Sequence, residues 1–430
     1  MFMTHYDLVV VGGGFAGVGA AIAAARKGLN TLLIEKSNCL GGAAANNLVM
    51  PFMPNSTRLK DNKEYILSQG IFEEIVNEVR DFGKTFFHSE SYGEEERYGF
   101  QEEFLKLILN RKVISSGVSV LFDSSVVSVD CAENRVNSIE VFGKGKRYTL
   151  TADYFIDATG DANLTAMAGF PFRLGRESDH LCQPMTLCFR VANVDVESFW
   201  KLHMRGEINK KYRQMKAIGQ ITNPRDNILV FKTLQNGVLH FNTTRIIKLN
   251  PTDVFDVTKA EIQAREQVFE LLSFLRENFE CCRNCELIST AIEIGTRESR
   301  MIDGEYTVTG TELKDCPKYA DSVALGNYDI DIHNPEGGDT SHYYFPAGKY
   351  YELPYRILIP KNSVNLLVAG RCVSADHEAQ ASIRIMPITC CLGEAAGTAV
   401  GIAFEEKCSV KEIDVHRLQE VLVDNGAVIN

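Results

Sequence analysis

Hydrophobic and polar positions change rhythm several times along the chain. Tyr6 to Val11 is an unbroken run of Val and Leu after Asp7, with no helical period, and reads as a buried strand. An alanine-rich segment from Ala16 to Lys27 comes next and predicts a helix, with Gly28 as its C-cap and Thr31 to Ile34 as a second strand. Further on, Val126–Cys131, Val136–Phe142 and Arg147–Leu150 read as short alternating strands. They are separated by the turn signals Glu133-Asn134 and Gly143-Lys144-Gly145 and lead to a core strand at Tyr154–Ala158. Near the C-terminus, Leu366 to Ala369 is a buried strand ended by Gly370, and a small, apolar helix runs from Ile388 to Phe404 with Pro387 at its start.

Between these ends the pattern is mixed. Met185–Val194 reads as a strand and Leu229–Thr244 as a hairpin around Asn236-Gly237. Asp253 to Glu280 has helical periodicity, capped by Thr252 or Asp253, with Phe269, Leu272 and Leu275 on one face. The acidic, helix-like segment Ala45 to Phe100, including SYGEEERYG, reads as a surface excursion of the first domain. At 430 residues the chain exceeds one compact core, so two domains are expected.

Charge narrows the function. A net charge of −11 argues against a nucleic-acid partner, which needs a basic face. Twelve scattered cysteines suit a reducing compartment. Leu8 to Ala25 is uncharged throughout, but its flank MFMTHYD lacks a positive region and the run holds five glycines. A membrane or export segment is therefore not expected, and the chain is placed in the cytoplasm.

The same run carries Gly12-Gly13-Gly14-Phe15-Ala16-Gly17, a G-x-G-x-x-G between strand and helix. Gly12 permits the tight turn, Gly14 lets backbone approach a pyrophosphate, and Gly17 lets the helix lie close on the strand. The helix start then offers its N–H groups and positive dipole end to phosphate. Glu35, at the end of the second strand, is placed to accept hydrogen bonds from a ribose and would repel a 2′-phosphate. A dinucleotide other than NADP is expected.

The loop after Glu35-Lys36 points to FAD. Cys39-Leu40-Gly41-Gly42-Ala43-Ala44-Ala45 is almost free of side chains, as suits backbone lying against a large ring or its ribityl phosphate chain. With this segment the sequence resembles flavoproteins of the glutathione reductase structural superfamily, and looks closest to the bacterial group called FAD-dependent oxidoreductases, with fumarate-reductase-type flavoproteins as distant relatives. The resemblance covers the two ends of the chain, through the fingerprint, the meander ending in TADYFIDATGDA, and NLLVAGRCVSADHEAQASIRIMPITCCLGEAAGTAVGIA.

It implies an α/β fold: a Rossmann-like FAD-binding domain of βαβ plus β-meander type, discontinuous over 1–165 and 356–430, with an inserted α+β substrate or cap domain at 166–355. By the same resemblance, the backbone of Val127 meets adenine, and Thr159 and Gly160 lie near the adenosine diphosphate. The helix start at Pro387 and Ile388 faces the flavin pyrimidine, where its dipole stabilises negative charge. Gly41, Gly42, Ala43, Lys36, Phe15, Ala16, Gly370 and Arg371 complete the expected cofactor set with Gly12, Gly14, Gly17 and Glu35. There is no CxxxxC after Gly41-Gly42, so no dithiol relay is expected, and no His in that loop, so FAD should be non-covalent. No second GxGxxG occurs, which argues against a built-in NAD(P) domain.

The expected function is an FAD-dependent oxidoreductase moving a hydride to or from a small organic substrate, with an unidentified electron donor or acceptor and a homo-oligomeric state left open. A non-catalytic FAD or nucleotide sensor, an escort protein, or an electron-transfer subunit is the alternative. Arg371, Asp376, His377, Glu378 and Arg384 precede the flavin-facing helix. Of these His377, as proton shuttle, and Arg384, as carboxylate clamp, are the catalytic candidates; turn capping and phosphate or ion-pair contacts are the structural alternatives. Arg297, Glu298 and Arg300 alternate like a strand and read first as a solvent-side or domain-interface network. Cys282 and Cys285 form a CxxC without a second pair, so structural thiols outrank a metal or redox dithiol, and no metal is expected.

Overall fold

The computed structural model describes residues 4–59, 63–88 and 99–430. Ser91 to Tyr98, most of the acidic SYGEEERYG stretch, lies outside them. Strand β1 (His5–Val11) leads into helix α1 (Phe15–Arg26) and strand β2 (Thr31–Ile34). Leu8, Val9 and Val10 are fully buried, as a central parallel strand covered on both faces requires. Helices α2 (Ile71–Phe87) and α3 (Glu102–Ser115) precede β3 (Ser119–Leu121), which adds parallel to β2.

A meander comes next: β4 (Ser125–Ala132), β5 (Arg135–Gly143) and β6 (Lys146–Asp157). The sequence suggests two strands where β6 is one of 12 residues. Thr151 and Asp153 interrupt the apolar run, but Leu150, Ala152 and Tyr154 alternate with them and face the core, so the backbone continues straight through. The first part of β6 pairs antiparallel with β5, and its later part lies parallel to β1 from His5↔Thr151 to Val11↔Asp157. The sheet is thus a mixed α/β layer with a parallel centre.

The segment read as a surface excursion is instead partly core. Phe52 stacks on Phe100 at 4.3 Å between centroids and meets Phe15 edge-on at 5.2 Å. Ile71, Ile75 and Val79 give α2 a buried stripe at i, i+4 and i+8, which the glutamates on its other face mask in the sequence.

Strands β7 (Phe189–Ala192), β8 (Val230–Lys232) and β9 (Leu239–Phe241), helix α4 (Val254–Asn278) and strand β10 (Glu286–Thr290) succeed them. The four strands form an antiparallel sheet in the order β8-β9-β7-β10. Buried residues between Met185 and Ile294, with Leu48, pack into a cluster of their own, whereas those from Ile302 to Ile359 join the cluster around Leu8 and Val10. Asp253 caps α4, accepting from the N–H groups of Phe255 and Asp256. The buried face of α4 runs through Ala260, Ala264, Val268, Leu271 and Leu275; Phe269, expected on that face, is exposed because it falls one step off the stripe. Strand β11 (Leu366–Val368) pairs parallel with β6. Helix α5 (His377–Ile383) and helix α6 (Met386–Glu406) close the core.

Candidate functional site

The glycines sit where β1, β6 and β11 end. Gly12 holds φ +107°, and a Cβ there would stand 2.3 Å from the Ala158 carbonyl oxygen. At Gly17 a Cβ would be 1.8 Å from the Gly12 carbonyl oxygen, so α1 lies on the turn with no room for a side chain. Gly14 is different: its Cβ would meet only the Cα of Gly42, at 3.9 Å. Gly42 itself, at φ +49°, leaves no room for a Cβ against Gly14. Two facing glycines therefore form a wall of bare backbone. The loop is pinned by the Gly41 N–H, which donates to the Gly13 carbonyl at 2.9 Å. Ala43 contributes its carbonyl to the Val49 N–H within this loop.

Helix α1 begins with no side-chain cap and no acidic residue in its first turn, so phosphate oxygens suit its free N–H groups. The Phe15 side chain is packed among Phe52 and Phe72, which leaves its backbone, beside that of Ala16, to face a ligand. Glu35 is almost wholly buried; Oε2 accepts from Gly13 N–H at 2.6 Å and Oε1 from Ser37 N–H at 2.8 Å. A carboxylate has about four acceptor positions, so two remain for ribose hydroxyls. Lys36, in contrast, reaches out to Glu293 at 2.7 Å and is mostly exposed.

The start of the meander is tied to this corner: Asp123 N–H donates to Ser37 and Ser124 N–H to Glu35, at 3.0 and 3.1 Å. Between Val126↔Val141 and Ser128↔Glu140 the β4–β5 register skips Val127, a bulge that takes its backbone out of the ladder.

After β6 the chain turns around Asp157, a residue no sequence motif marks. Its fully buried carboxylate accepts four hydrogen bonds, from the N–H and hydroxyl of both Thr159 and Thr165. Gly160 (φ +78°) lies against Arg371, where a Cβ would stand 2.3 Å from Nη1. Arg371 pairs with Asp161 at 2.5 Å, and its buried Nε has no partner. Gly370 (φ +116°) faces Ala16, 3.6 Å from its Cβ to where a side chain would begin. Fingerprint, Gly41-Gly42 loop, Thr159-Gly160 turn and Gly370-Arg371 thus share one corner. The uncapped helix, the bare glycine wall and the orphaned Arg371 Nε all fit an elongated diphosphate ligand.

Helix α6 starts at Met386 with Pro387 in its first turn and no side-chain cap, leaving the first-turn N–H of Ile388 without an intrahelical partner, while Thr389 N–H already donates to the Ile385 carbonyl at 3.0 Å. It is locked to α1 through small residues: a Cβ on Gly393 or Gly397 would come within 2.0 or 2.1 Å of the Ala16 or Ala20 carbonyl oxygen. Among the described residues it is the helix long and apolar enough to cross a membrane, but it is buried inside the protein.

The polar segment before α6 is helix α5 with its caps rather than a loop, and its side chains divide. Asp376 caps α5, accepting from Ala379 N–H at 2.7 Å and from Gly310 N–H at 3.0 Å; burial raises its pKa. Glu378 pairs with Lys314 at 2.8 Å. His377 Nδ1 lies 2.7 Å from Glu298 Oε1, and the fully buried Glu298 accepts from Gln183 N–H with Oε2. Arg384 reaches Asp331 at 3.2 Å.

The Arg297–Arg300 segment is an interface network rather than a solvent-side strand. Glu298 and Ser299 are buried, and regular strand begins only at Arg300. Ser299 donates to Asp161 at 2.6 Å, while Arg300 bonds the Asp161 carbonyl and Asn163. Sequence alone could have suggested Asp161, which comes directly after Thr159-Gly160, and Asp331, which shares with His333 one face of the alternating Asp329-Ile330-Asp331-Ile332-His333. Cys282 and Cys285 are fully buried. Among the described residues no group of three or more His, Cys, Asp or Glu side chains gathers to hold a metal.

A family model described as FAD dependent oxidoreductase matches residues 7–422. Among curated proteins, digeranylgeranylglycerophospholipid reductase 1 of Methanococcoides burtonii is 26% identical over 202 residues, covering 45% of this chain and 46% of that protein. The 3-oxosteroid 1-dehydrogenase of Mycobacterium tuberculosis is 42% identical over 60 residues, 14% of this chain and 11% of the dehydrogenase. The chain therefore spans less than half the length of these curated relatives in alignment. Among solved structures, a geranylgeranyl bacteriochlorophyll reductase-like protein of Thermoplasma acidophilum has a TM-score of 0.45 at 15% identity, covering 99% of this chain and 85% of that one.

Proposed function

We propose that this chain, which belongs to the FAD dependent oxidoreductase family, holds FAD non-covalently in the glycine corner and moves a hydride between it and a small organic substrate. FAD is the family's cofactor, and when bound it supplies the two-electron redox chemistry. Every other part belongs to the protein.

The N–H groups from Gly14 to Gly17 bind the diphosphate and Glu35 the adenosine ribose. The bulged backbone at Val127 meets adenine, Gly160 and Arg371 hold the rest of the diphosphate chain, and Thr159, with its N–H and hydroxyl given to Asp157, shapes the turn beside it. Gly41 to Ala43 and the α6 start at Pro387 and Ile388 enclose the ring end. Lys36 helps from the rim through Glu293. His377 is held by Glu298 through Nδ1, which leaves Nε2 to give or take a proton. Arg384 orients the substrate.

The substrate is covered by a unit centred on residues 185–294, narrower than 166–355, because those residues share their own buried cluster. The chain carries no NAD(P) domain and works in the cytoplasm with an external electron partner. One observation carries the reading: four separate segments, drawn from both ends of the chain, bring side-chain-free backbone and an unpartnered Arg371 Nε to a single corner.

An anaerobic screen of carboxylates, alcohols and amines against the FAD-loaded protein tests it. A matching substrate should bleach the flavin absorbance. In His377→Gln the bleaching should slow by about 10²–10⁴-fold with FAD content unchanged. Bleaching at the native rate in that variant would remove His377 from the mechanism, and a protein that binds FAD yet is bleached by nothing in the screen, and whose dithionite-reduced flavin is reoxidised by no added electron acceptor, would speak for a sensor.

A further inference from the structure

Four arginines gather at the seam between the Met185–Ile294 cluster and the α5–α6 turn, and the oxidoreductase reading uses only one of them. Arg384, next to the first turn of α6, contacts Asp331 Oδ2 at 3.2 Å. Asp331 in turn meets His333 Nε2 at 3.2 Å, and His333 Nδ1 accepts from Arg245 Nη2 at 2.8 Å. Arg297 sits beside this chain, donating to the Pro184 carbonyl, Thr186 Oγ1 and Asn242 Oδ1. Arg225 closes the group and uses its Nε on Asn227.

The charges do not balance. Asp331 is the buried carboxylate here; burial opposes its ionisation, but the hydrogen bond from His333 and the charge of Arg384 outweigh that and hold it ionised. Asp226 is engaged by Lys216 at 2.6 Å and half-exposed, and Asp339 is exposed. His333 is neutral, because burial and then Arg297 push its pKa far down. Burial, reinforced by the charges of Arg384, Arg225 and Arg245, lowers the Arg297 pKa to about 9. Four guanidiniums thus face one buried carboxylate.

Their hydrogen bonds do not close either. Arg245 is consumed by the carbonyls of Gly337, Gly338 and Asp339. Arg225, 5% exposed, has an Nη1 with no partner, and Arg384 a buried Nε with none. A buried unpaired cation is expensive, by several kcal/mol or more. A planar N–H fork is matched by a carboxylate or phosphate. Arg384, whose side chain is 15% exposed, is the member through which the cluster opens outward.

We infer that Arg225, Arg297 and Arg384 form an oxyanion site that binds a carboxylate or phosphate group of the substrate. Only the anion's role as substrate rests on the oxidoreductase reading; the binding itself does not.

Calorimetric titration of the FAD-loaded protein with sodium malonate, inorganic phosphate and neutral malonamide, at ionic strength matched with sodium chloride, tests it. Malonate or phosphate should bind and raise the unfolding temperature while malonamide does neither. The tighter of the two tells a carboxylate from a phosphate ester. Arg225→Met and Arg384→Met should each weaken that binding about tenfold or more; the second removes fewer structural contacts and serves if the first does not fold. No binding of either anion beyond chloride, or native affinity in a folded variant, overturns the inference. Anion binding with no flavin retained would instead leave the site standing and sink the redox reading.

Discussion

Glu394, on the helix expected to face the flavin, should make the protein less stable at alkaline pH. It is 2% exposed, and Oε2 accepts from Ile71 N–H at 3.0 Å, the first N–H of α2. Burial raises its pKa from 4.5 to about 7; the Ile71 N–H and Arg26 favour the anion, and Glu74 opposes it. The folded pKa is above the unfolded one, so the native state binds more protons between these values. Stability therefore falls as pH rises from 4.5 to about 7 and stays at the lower level above that. At roughly 1.4 kcal/mol per tenfold of proton affinity, the penalty is about 3 kcal/mol.

Glu394→Gln keeps an oxygen for Ile71 N–H and carries no charge at any pH. The variant should be more stable than the native chain by about 2–3 kcal/mol near pH 8.5, with a difference under about 1 kcal/mol near pH 4.5. Urea unfolding followed by far-ultraviolet circular dichroism at both pH values, on protein saturated with FAD and on protein stripped of it, measures this. A variant no more stable than the native chain at alkaline pH, or equally stabilised at both, would refute the burial argument.

Other expectations come from single contacts. Gly17→Ala places a methyl group 1.8 Å from the Gly12 carbonyl oxygen, so purified protein should lose its flavin and unfold at lower urea, by at least about 1–3 kcal/mol. Glu35→Gln should weaken FAD binding by about tenfold, read from quenching of flavin fluorescence, with little change in the circular dichroism spectrum. Asp253→Ala removes the α4 cap and should cost about 1 kcal/mol in urea unfolding while leaving flavin content intact.

The parts of this molecule legible in its sequence are those fixed locally. The Gly12–Gly17 turn, Glu35, Pro387 and the Asp253 cap can be read from spacing, because the constraint on each lies close by in the chain. Glu394 carries no such sign; its burial is set by Gly70 and Ile71, near the opposite end of the chain. The Arg225–Arg384 cluster is hidden for the same reason: its members come from four separate stretches, and although Arg297 and Arg384 each stand out in the sequence, nothing local joins them to each other or to Arg225 and Arg245. Phe269 misled because a helical stripe allows several faces, and only the partner sheet chooses between them. The Ala45–Phe100 segment misled because its acidic face is more conspicuous than the stripe beneath it.

Acid precipitation of the purified protein, with chromatography of the supernatant, tests most directly whether the glycine corner holds FAD without a covalent bond. FAD should be released at about one per chain, with the pellet colourless. Colourless protein that binds no FAD when titrated with an excess would contradict the account, and a pellet that stays yellow would contradict the non-covalent part of it.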